Sequence, residues 1–573
     1  MISNISISWN DSYEHDGLLF FFQRIVEMLD FRTIDIYRAP LLNTSRLIDE
    51  YIRICNGAAK PYHLEEVYNE FVLSFKTDII LQHELGEDRI QQIIKRLNKY
   101  PENRKQTMEY LLHSVTDRYL KWAKKYIEFI VPQTKEKRKI ERAIRCFIPE
   151  VLRYGYSREE IYHSAKQMLQ QEVDPSCALS SFLNQYDKER KEFCVYLGIS
   201  EKLRCFNDLL NARLGVASND DGNFSKCDVW HHYYIVKMDH IKALDASTAA
   251  NIAYDRIELF TLFYQFWGNY SGNLIQKPAL VISEDGVERK LVINREKFAS
   301  LEDDNPPRIG ELSESLITRL VNSARCSLPN LKQITKLHNR AISNNGLENG
   351  FLNLWSILEI ICVTNPEGSK IDQVISVAVP ILKRYYFYTL LHDMFENIKN
   401  TLENDIYQTY LATIEDGESD FDKTVCLILL PKYEELFDEF VDHFANYPAL
   451  RSRMLNLHDD CKTKRDILSL QNRYAQRVSW HFYRIYRARN SIIHSGKTPP
   501  DLKDLGEHLH AYVDCLIEEI LVKLSTGSLC HISNVLVNSE LQEEVLERGL
   551  NEEQPIDYDC LKLVMTQIDS WID

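Results

Sequence analysis

Apolar residues recur three and four positions apart over most of this chain, a period that predicts a mainly α fold. In residues 1–190 the runs Ile90–Leu97, Met108–Phe129 and Lys139–Leu152 predict an N-terminal helical region. The texture changes over residues 191–305. Trp230–Val236 reads as a strand, and Asp245 caps a helix-like run from Ala246 to Trp267. The β-rich runs Ala279–Ser283 and Val287–Ile293 flank Asp285-Gly286, a hairpin signal, so a small mixed α/β module is expected here. Ser300–Pro307 reads as a linker into a second helical region, 306–540, with surface loops at Thr364–Lys370 and Glu415–Lys423. Residues 541–573 form an acidic tail with one amphipathic segment, Leu561–Ile572, suited to docking on the bundle or to association.

One helix pattern carries chemistry. Phe482, Ile485, Tyr486, Ile492 and Ile493 share a face, and Arg489 lies on the same stripe. A guanidinium on an apolar stripe must be paired, reach a wet cleft or meet an anion, because it cannot shed its charge. Gly496 and Pro499-Pro500 stop the helix, and Asp501 opens another amphipathic run through Leu505, Leu509, Val513, Leu516 and Ile520. His494 therefore sits at a helix end. Arg489 and His494 lie about 140° apart on an ideal helix, so they share a site only if the helix frays or bends near Ser495. The turn signals favour such a bend.

Arg489-Asn490-x-x-x-His494 is a sufficient set for cutting RNA without a metal. Attack by the 2′-hydroxyl needs a base, an acid for the departing 5′-oxygen, and positive charge on the phosphorane. Imidazole can give or take a proton near neutral pH, and a helix C-terminus favours its charged form, which suits the acid. Arg489 can grip the phosphate through two N–H groups, and Asn490 can orient the histidine or the phosphate. On the string alone a bland reading stands beside this one: Arg489 as a structural ion-pair partner, His494 as a polar helix-end residue.

The motif and its flanks, Tyr486-Arg487-Ala488-Arg489-Asn490-Ser491-Ile492-Ile493-His494-Ser495-Gly496, resemble the HEPN family (higher eukaryote and prokaryote nucleotide-binding), in particular its Apea-like branch. Gly350–Glu359, with its Trp355-x-x-Leu358-Glu359 pattern, resembles that branch's early helix, and Tyr447–Arg453 is a weaker block between the two. The blocks span roughly residues 310–540, under half of the chain. The resemblance implies a four- or five-helix bundle with an extended loop system. It also implies metal-independent endoribonuclease activity through Arg489, Asn490 and His494, and a homodimer in which two motifs meet. Such nucleases act as toxins, in anti-phage defence or in RNA processing, so tRNA as substrate and a phage-derived trigger or regulatory protein are the corresponding expectations. Glu359 is added from the residues themselves: an acid on an otherwise apolar helix, it either pairs with Arg489 or is a solvated edge carboxylate. A non-catalytic RNA- or nucleotide-binding module and an oligomeric scaffold remain the alternatives.

Composition bounds the rest. A net charge of −16 over 573 residues disfavours a protein that coats nucleic acid, but leaves local fields open. The 13 cysteines are scattered without Cys-x-x-Cys spacing, which fits a reducing, cytoplasmic compartment. No signal peptide is expected, and apolar runs such as Gly17–Phe22 and Val425–Leu430 are too short to span a membrane. The basic stretch Lys135–Arg145 reads as a solvated helix face with paired charges rather than an RNA contact, and Tyr119, Trp122, Tyr126 and Phe129 as core. Ser218–Asn223 is a loop whose acidic pair lacks an EF-hand ligand series. His231-His232 point to opposite faces of a strand, and His508 and His510 diverge on a helix. With no phosphate-loop, nucleophile-elbow or His-Glu-x-x-His pattern, no cofactor and no metal are expected.

Overall fold

The computed structural model describes residues 15–30, 42–57, 61–170, 174–187, 189–206, 234–268, 272–293, 328–343, 346–365, 367–525 and 531–569. The fold is mainly α with one small antiparallel sheet. The expected linker Ser300–Pro307, the loop Ser218–Asn223 and His231-His232 lie outside the described residues.

The N-terminal region is built from α1 (Asp16–Leu29), α2 (Thr44–Cys55), α3 (Pro61–Thr77), α4 (Ile79–Leu85), α5 (Glu87–Lys99), α6 (Arg104–Leu111), α7 (Asp117–Ile130), α8 (Lys137–Tyr154), α9 (Arg158–Gln170) and α10 (Pro175–Asn184). The run Met108–Phe129 is two helices joined by a π-helical turn at Leu112–Thr116. Helix α1 is buried on every side, with Phe21 and Phe22 edge-on to Phe182 of α10. At the start of α4, Asp78 caps two backbone N–H groups and accepts from Tyr119 and Thr44, which ties α2, α4 and α7 together.

The α/β module has strand order β2-β1-β3-β4, from β1 (Lys191–Ile199), β2 (Tyr234–Ala243), β3 (Ile275–Ser283) and β4 (Glu288–Val292), all antiparallel. The hairpin turns at Asp285-Gly286, where Gly286 takes φ 76°. Helix α11 (Ala246–Gly268) buries Ala249, Ala250, Ala253 and Ile257 on the sheet. Its cap is Asp245, which accepts from Thr248 N–H at 2.6 Å and also from Ser157 N–H at 2.6 Å, fixing the module to the α8–α9 turn.

The C-terminal region holds α12 (Leu328–Ser343), α13 (Leu347–Cys362), α14 (Lys370–Thr401), α15 (Asn404–Ala412), α16 (Asp420–Leu429), α17 (Glu434–Asp442), α18 (Pro448–Asp460), α19 (Lys464–Ser495), α20 (Leu502–Ser525), α21 (Ile532–Leu550) and α22 (Tyr558–Asp569). It has two cores. In the first, Phe351, Trp355 and Leu358 of α13 meet α12, the first half of α14, the later turns of α19, α20 and the start of α21. The second half of α14, from Phe387 to Ile398, belongs to the other core with α15–α18 and α22. Hence α14 spans both cores. It is also the one helix among the described residues long and apolar enough to cross a membrane, and most of its apolar window is buried. A charged network stitches the first core: Arg384 pairs with Glu519, which also accepts from Tyr385 at 2.7 Å and pairs with Lys523 at 2.8 Å.

The tail does not begin at residue 541. Helix α21 runs through that boundary, and Leu561, Val564 and Met565 of α22 are buried in the second core. Within this segment Glu544, Glu547, Glu552 and Glu553 are exposed, whereas Glu543 is buried against Lys383.

Candidate active site

Helix α19 places the motif. Thr463 and Asp466 form a reciprocal capping box at its start, and its hydrogen-bonded ladder continues unbroken for 32 residues to Ser495. The expected fraying near Ser495 does not occur. Ser495 Oγ donates to the Ser491 carbonyl at 2.6 Å, and Ser491 Oγ donates to the Lys497 carbonyl at 2.9 Å, which closes the last turn. Gly496 then takes the left-handed conformation at φ 61°, with its N–H on the Ile492 carbonyl at 3.1 Å. The reversal is absorbed one residue beyond the helix.

Arg489 and His494 consequently stay on different faces of a regular helix, about 140° apart. Among the described residues no hydrogen bond or ion pair joins them. Arg489 is mostly covered. Its Nη1 donates to Asn490 Oδ1 at 3.0 Å, and its Nη2 lies 3.5 Å from Glu359 Oε1. Its Nε has no hydrogen-bond partner among the described residues. Glu359, on α13, is more tightly held by others: Trp355 Nε1 donates to it at 2.8 Å and Lys370 Nζ at 3.1 Å. The Trp355 ring packs at 5.4 Å from Tyr486, one helical turn before Arg489. His494 is exposed and makes no side-chain hydrogen bond or ion pair among the described residues, and neighbouring Ile493 is 48% exposed.

The turn before the motif is held quite differently. Arg484 is buried, with Nε 3.0 and 2.9 Å from the two oxygens of Glu50 and Nη2 at 2.8 Å from one of them, and it also bonds Glu70. Arg487 bonds Glu50 as well. Burial alone would raise the Glu50 carboxyl, but Arg484 and Arg487 outweigh it and hold it at about 2. Burial keeps Glu70 above the usual range despite Arg484. His481, a turn earlier, is buried against His508 and Tyr512, and burial with the neighbouring His508 and Arg484 depresses its pKa far enough to keep the ring neutral. No sequence signal announced this clamp, because Glu50 and Glu70 lie more than 400 residues away on α2 and α3.

No protein-family model, curated protein or solved structure matches the chain.

Within the basic stretch, Lys137 pairs with Asp16, Arg138 with Asp460, Lys139 with Glu136 and Arg145 with Glu141, while Arg142 bonds the Thr77 carbonyl. Tyr119 and Tyr126 are buried, whereas Phe129 is exposed. Tyr447–Arg453 forms the seat for α1: Arg451 pairs with Asp16, Arg453 with Glu27, and Gln23 bonds both Asn446 and Ala449. A cavity of about 420 Å³ opens beside this seat, lined by Phe20, Arg24, Arg453, Arg477 and Trp480, and Arg489, Asn490 and His494 do not line it.

Proposed function

We propose that this chain is a metal-independent endoribonuclease of the HEPN type, in which Arg489 and Asn490 of one copy act with His494 of a second copy. The observation that carries the reading is the contrast between two arginines on one helix. Arg484 is locked by two carboxylates, while the partly exposed Arg489 has, among the described residues, one long contact to Glu359 and one to a neighbouring amide. A guanidinium held that loosely beside a helix end keeps donors for a phosphate. His494 and Ile493 are both exposed there, so a polar acid–base group and an apolar residue share a surface suited to a second copy.

In such a composite site, Arg489 of one copy holds the scissile phosphate and stabilises the charge of the phosphorane. Asn490, already bonded to Arg489, orients either that guanidinium or the phosphate. His494 of the other copy transfers the proton, and the products carry 2′,3′-cyclic phosphate ends. Anti-phage defence or toxicity is the biological setting proposed with it, with structured RNA such as tRNA as substrate.

The deciding experiment compares purified wild type, Arg489→Ala and His494→Ala on total RNA and tRNA in the presence of EDTA. Cleavage with cyclic-phosphate ends by wild type alone is expected. Absence of cleavage by wild type, with RNA binding retained in all three, would instead favour a binding module. That second reading has one observation behind it, the ion pair that already occupies one face of Arg489.

A further inference from the structure

Two histidines and an aspartate converge on the outer side of the first C-terminal core. His338 comes from α12, and His510 and Asp514 stand one turn apart on α20. His338 Nε2 lies 2.8 Å from Asp514 Oδ1, His510 Nε2 lies 3.4 Å from Asp514 Oδ2, and the two Nε2 atoms are 3.2 Å apart. The ring centres are 5.1 Å apart, so the rings splay outward from their nitrogens and aim them at a common point.

Those separations match a known construction. Two imidazoles on one tetrahedral ion with N–metal distances near 2.05 Å have nitrogens about 3.3 Å apart and ring centres about 5.2 Å apart. Asp514 supplies the third side, with Oδ1 toward His338 and Oδ2 toward His510, and either oxygen can serve as the carboxylate ligand. We propose that His338, His510 and Asp514 form a binding site for one first-row divalent cation, zinc being the natural occupant of a set of two imidazoles and a carboxylate. His510 is largely buried, and Asp514 is nearly half exposed. The ion can therefore enter from solvent and keep water at its remaining position.

The site's role follows from its place. Helix α12 is the first described element after residues 294–327, and it packs on α13, the helix of Glu359. An ion bridging α12 to α20 fastens that helix onto the bundle by a bond stronger than its neighbouring apolar contacts. The ion takes no part in the proposed cleavage chemistry. Without an ion, the two ring nitrogens are joined by a hydrogen bond in which one donates and the other accepts, beside the contact of His338 to Asp514.

The test uses the untagged full-length protein, stripped of metal, titrated with Co²⁺ and then Zn²⁺. Wild type should take up one Co²⁺ per chain with the visible absorption of a tetrahedral site and without a thiolate charge-transfer band, and Zn²⁺ should displace it. His338→Gln, at a partly exposed position, and Asp514→Asn should each weaken uptake at least tenfold. Zn²⁺ should raise the melting temperature of wild type and leave that of both variants unchanged. Circular dichroism matching wild type shows that the variants are folded. Uptake that is unaltered in both folded variants, a thiolate band, or no stoichiometric uptake by wild type would overturn the site. These readouts are independent of RNA cleavage.

Discussion

Glu50 of α2 grips Arg484 of α19 with both carboxylate oxygens, at 2.8–3.0 Å, across 434 residues of sequence. The pair is buried, and it lies five residues before Arg489. The N-terminal region is therefore anchored on the helix that carries the motif.

Removing Glu50 leaves two covered arginines, Arg484 and Arg487, with Glu70 bonded to Arg484 alone, the costly way to break such a cluster. Glu50→Gln should destabilise the N-terminal docking by about 3–5 kcal/mol, read as a lower denaturation midpoint and faster amide exchange in α2 and α3. Replacing Glu50, Glu70, Arg484 and Arg487 together by apolar residues of similar volume should recover most of that loss. A midpoint unchanged in Glu50→Gln would show that the contact contributes nothing to stability.

Acid should act on the same clamp. The Glu50 carboxyl is held at about 2 against an ordinary 4.5, after Arg484 and Arg487 overcome burial, and Glu519 is likewise held at about 2 after Arg384 and Lys523 overcome burial. Depressed carboxyl values mean stability that is fully present above the ordinary value and is lost as pH falls toward about 2. Glu70, raised by burial, works in the opposite sense and takes up its proton first. Thermal melts should fall steeply between roughly pH 4.5 and 2, and Glu50→Gln should flatten part of that slope.

Loss of His494 should reduce RNA cleavage by about 10²–10⁴-fold with little change in melting temperature, because the side chain is exposed. Arg489→Lys should also lose most activity, since a single ammonium cannot reproduce the guanidinium fork. If both variants cleave like wild type, the motif is not catalytic.

A site shared between copies makes a stoichiometric demand. Mixing inactive Arg489→Ala with inactive His494→Ala should restore part of the cleavage, because a mixed pair contains one intact combination. If the mixture stays inactive while hybrid dimers are shown by mass, each site draws both residues from one chain.

Gly496 offers a local check. With φ 61° and open space where a Cβ would stand, Gly496→Ala suffers only backbone strain, worth about 1–2 kcal/mol. Gly496→Asn should be milder, and cleavage should fall more in Ala than in Asn as the last turn loosens.

Local features were legible in the sequence and distant pairings were not. Asp245 as a cap, Asp285-Gly286 as a hairpin turn and Gly496 as a helix stop each act within a few residues, so composition is enough to find them. The turn signals near Ser495 are compatible with a bend, but Ser491 and Ser495 bond the terminal carbonyls and hold the final turn in register. The division of the C-terminal region into two cores is invisible to periodicity, since α14 shows an apolar face to each in turn. His508 and His510 diverge as their spacing predicts, His508 packing on His481 and His510 on His338. Its meeting with His338 depends on how α12 packs against α20, 172 residues apart in sequence.

The unbroken course of α19 makes it a lever. Arg484 is its fulcrum, clamped from α2 and α3, and His494 stands at its tip about 15 Å further along. A tilt of about 5° at the fulcrum would swing the tip by about 1.3 Å, a displacement of the size that separates an aligned proton transfer from an idle one. Under the proposed mechanism, prying α2 and α3 from Arg484 would thus change the reach of a residue ten positions away.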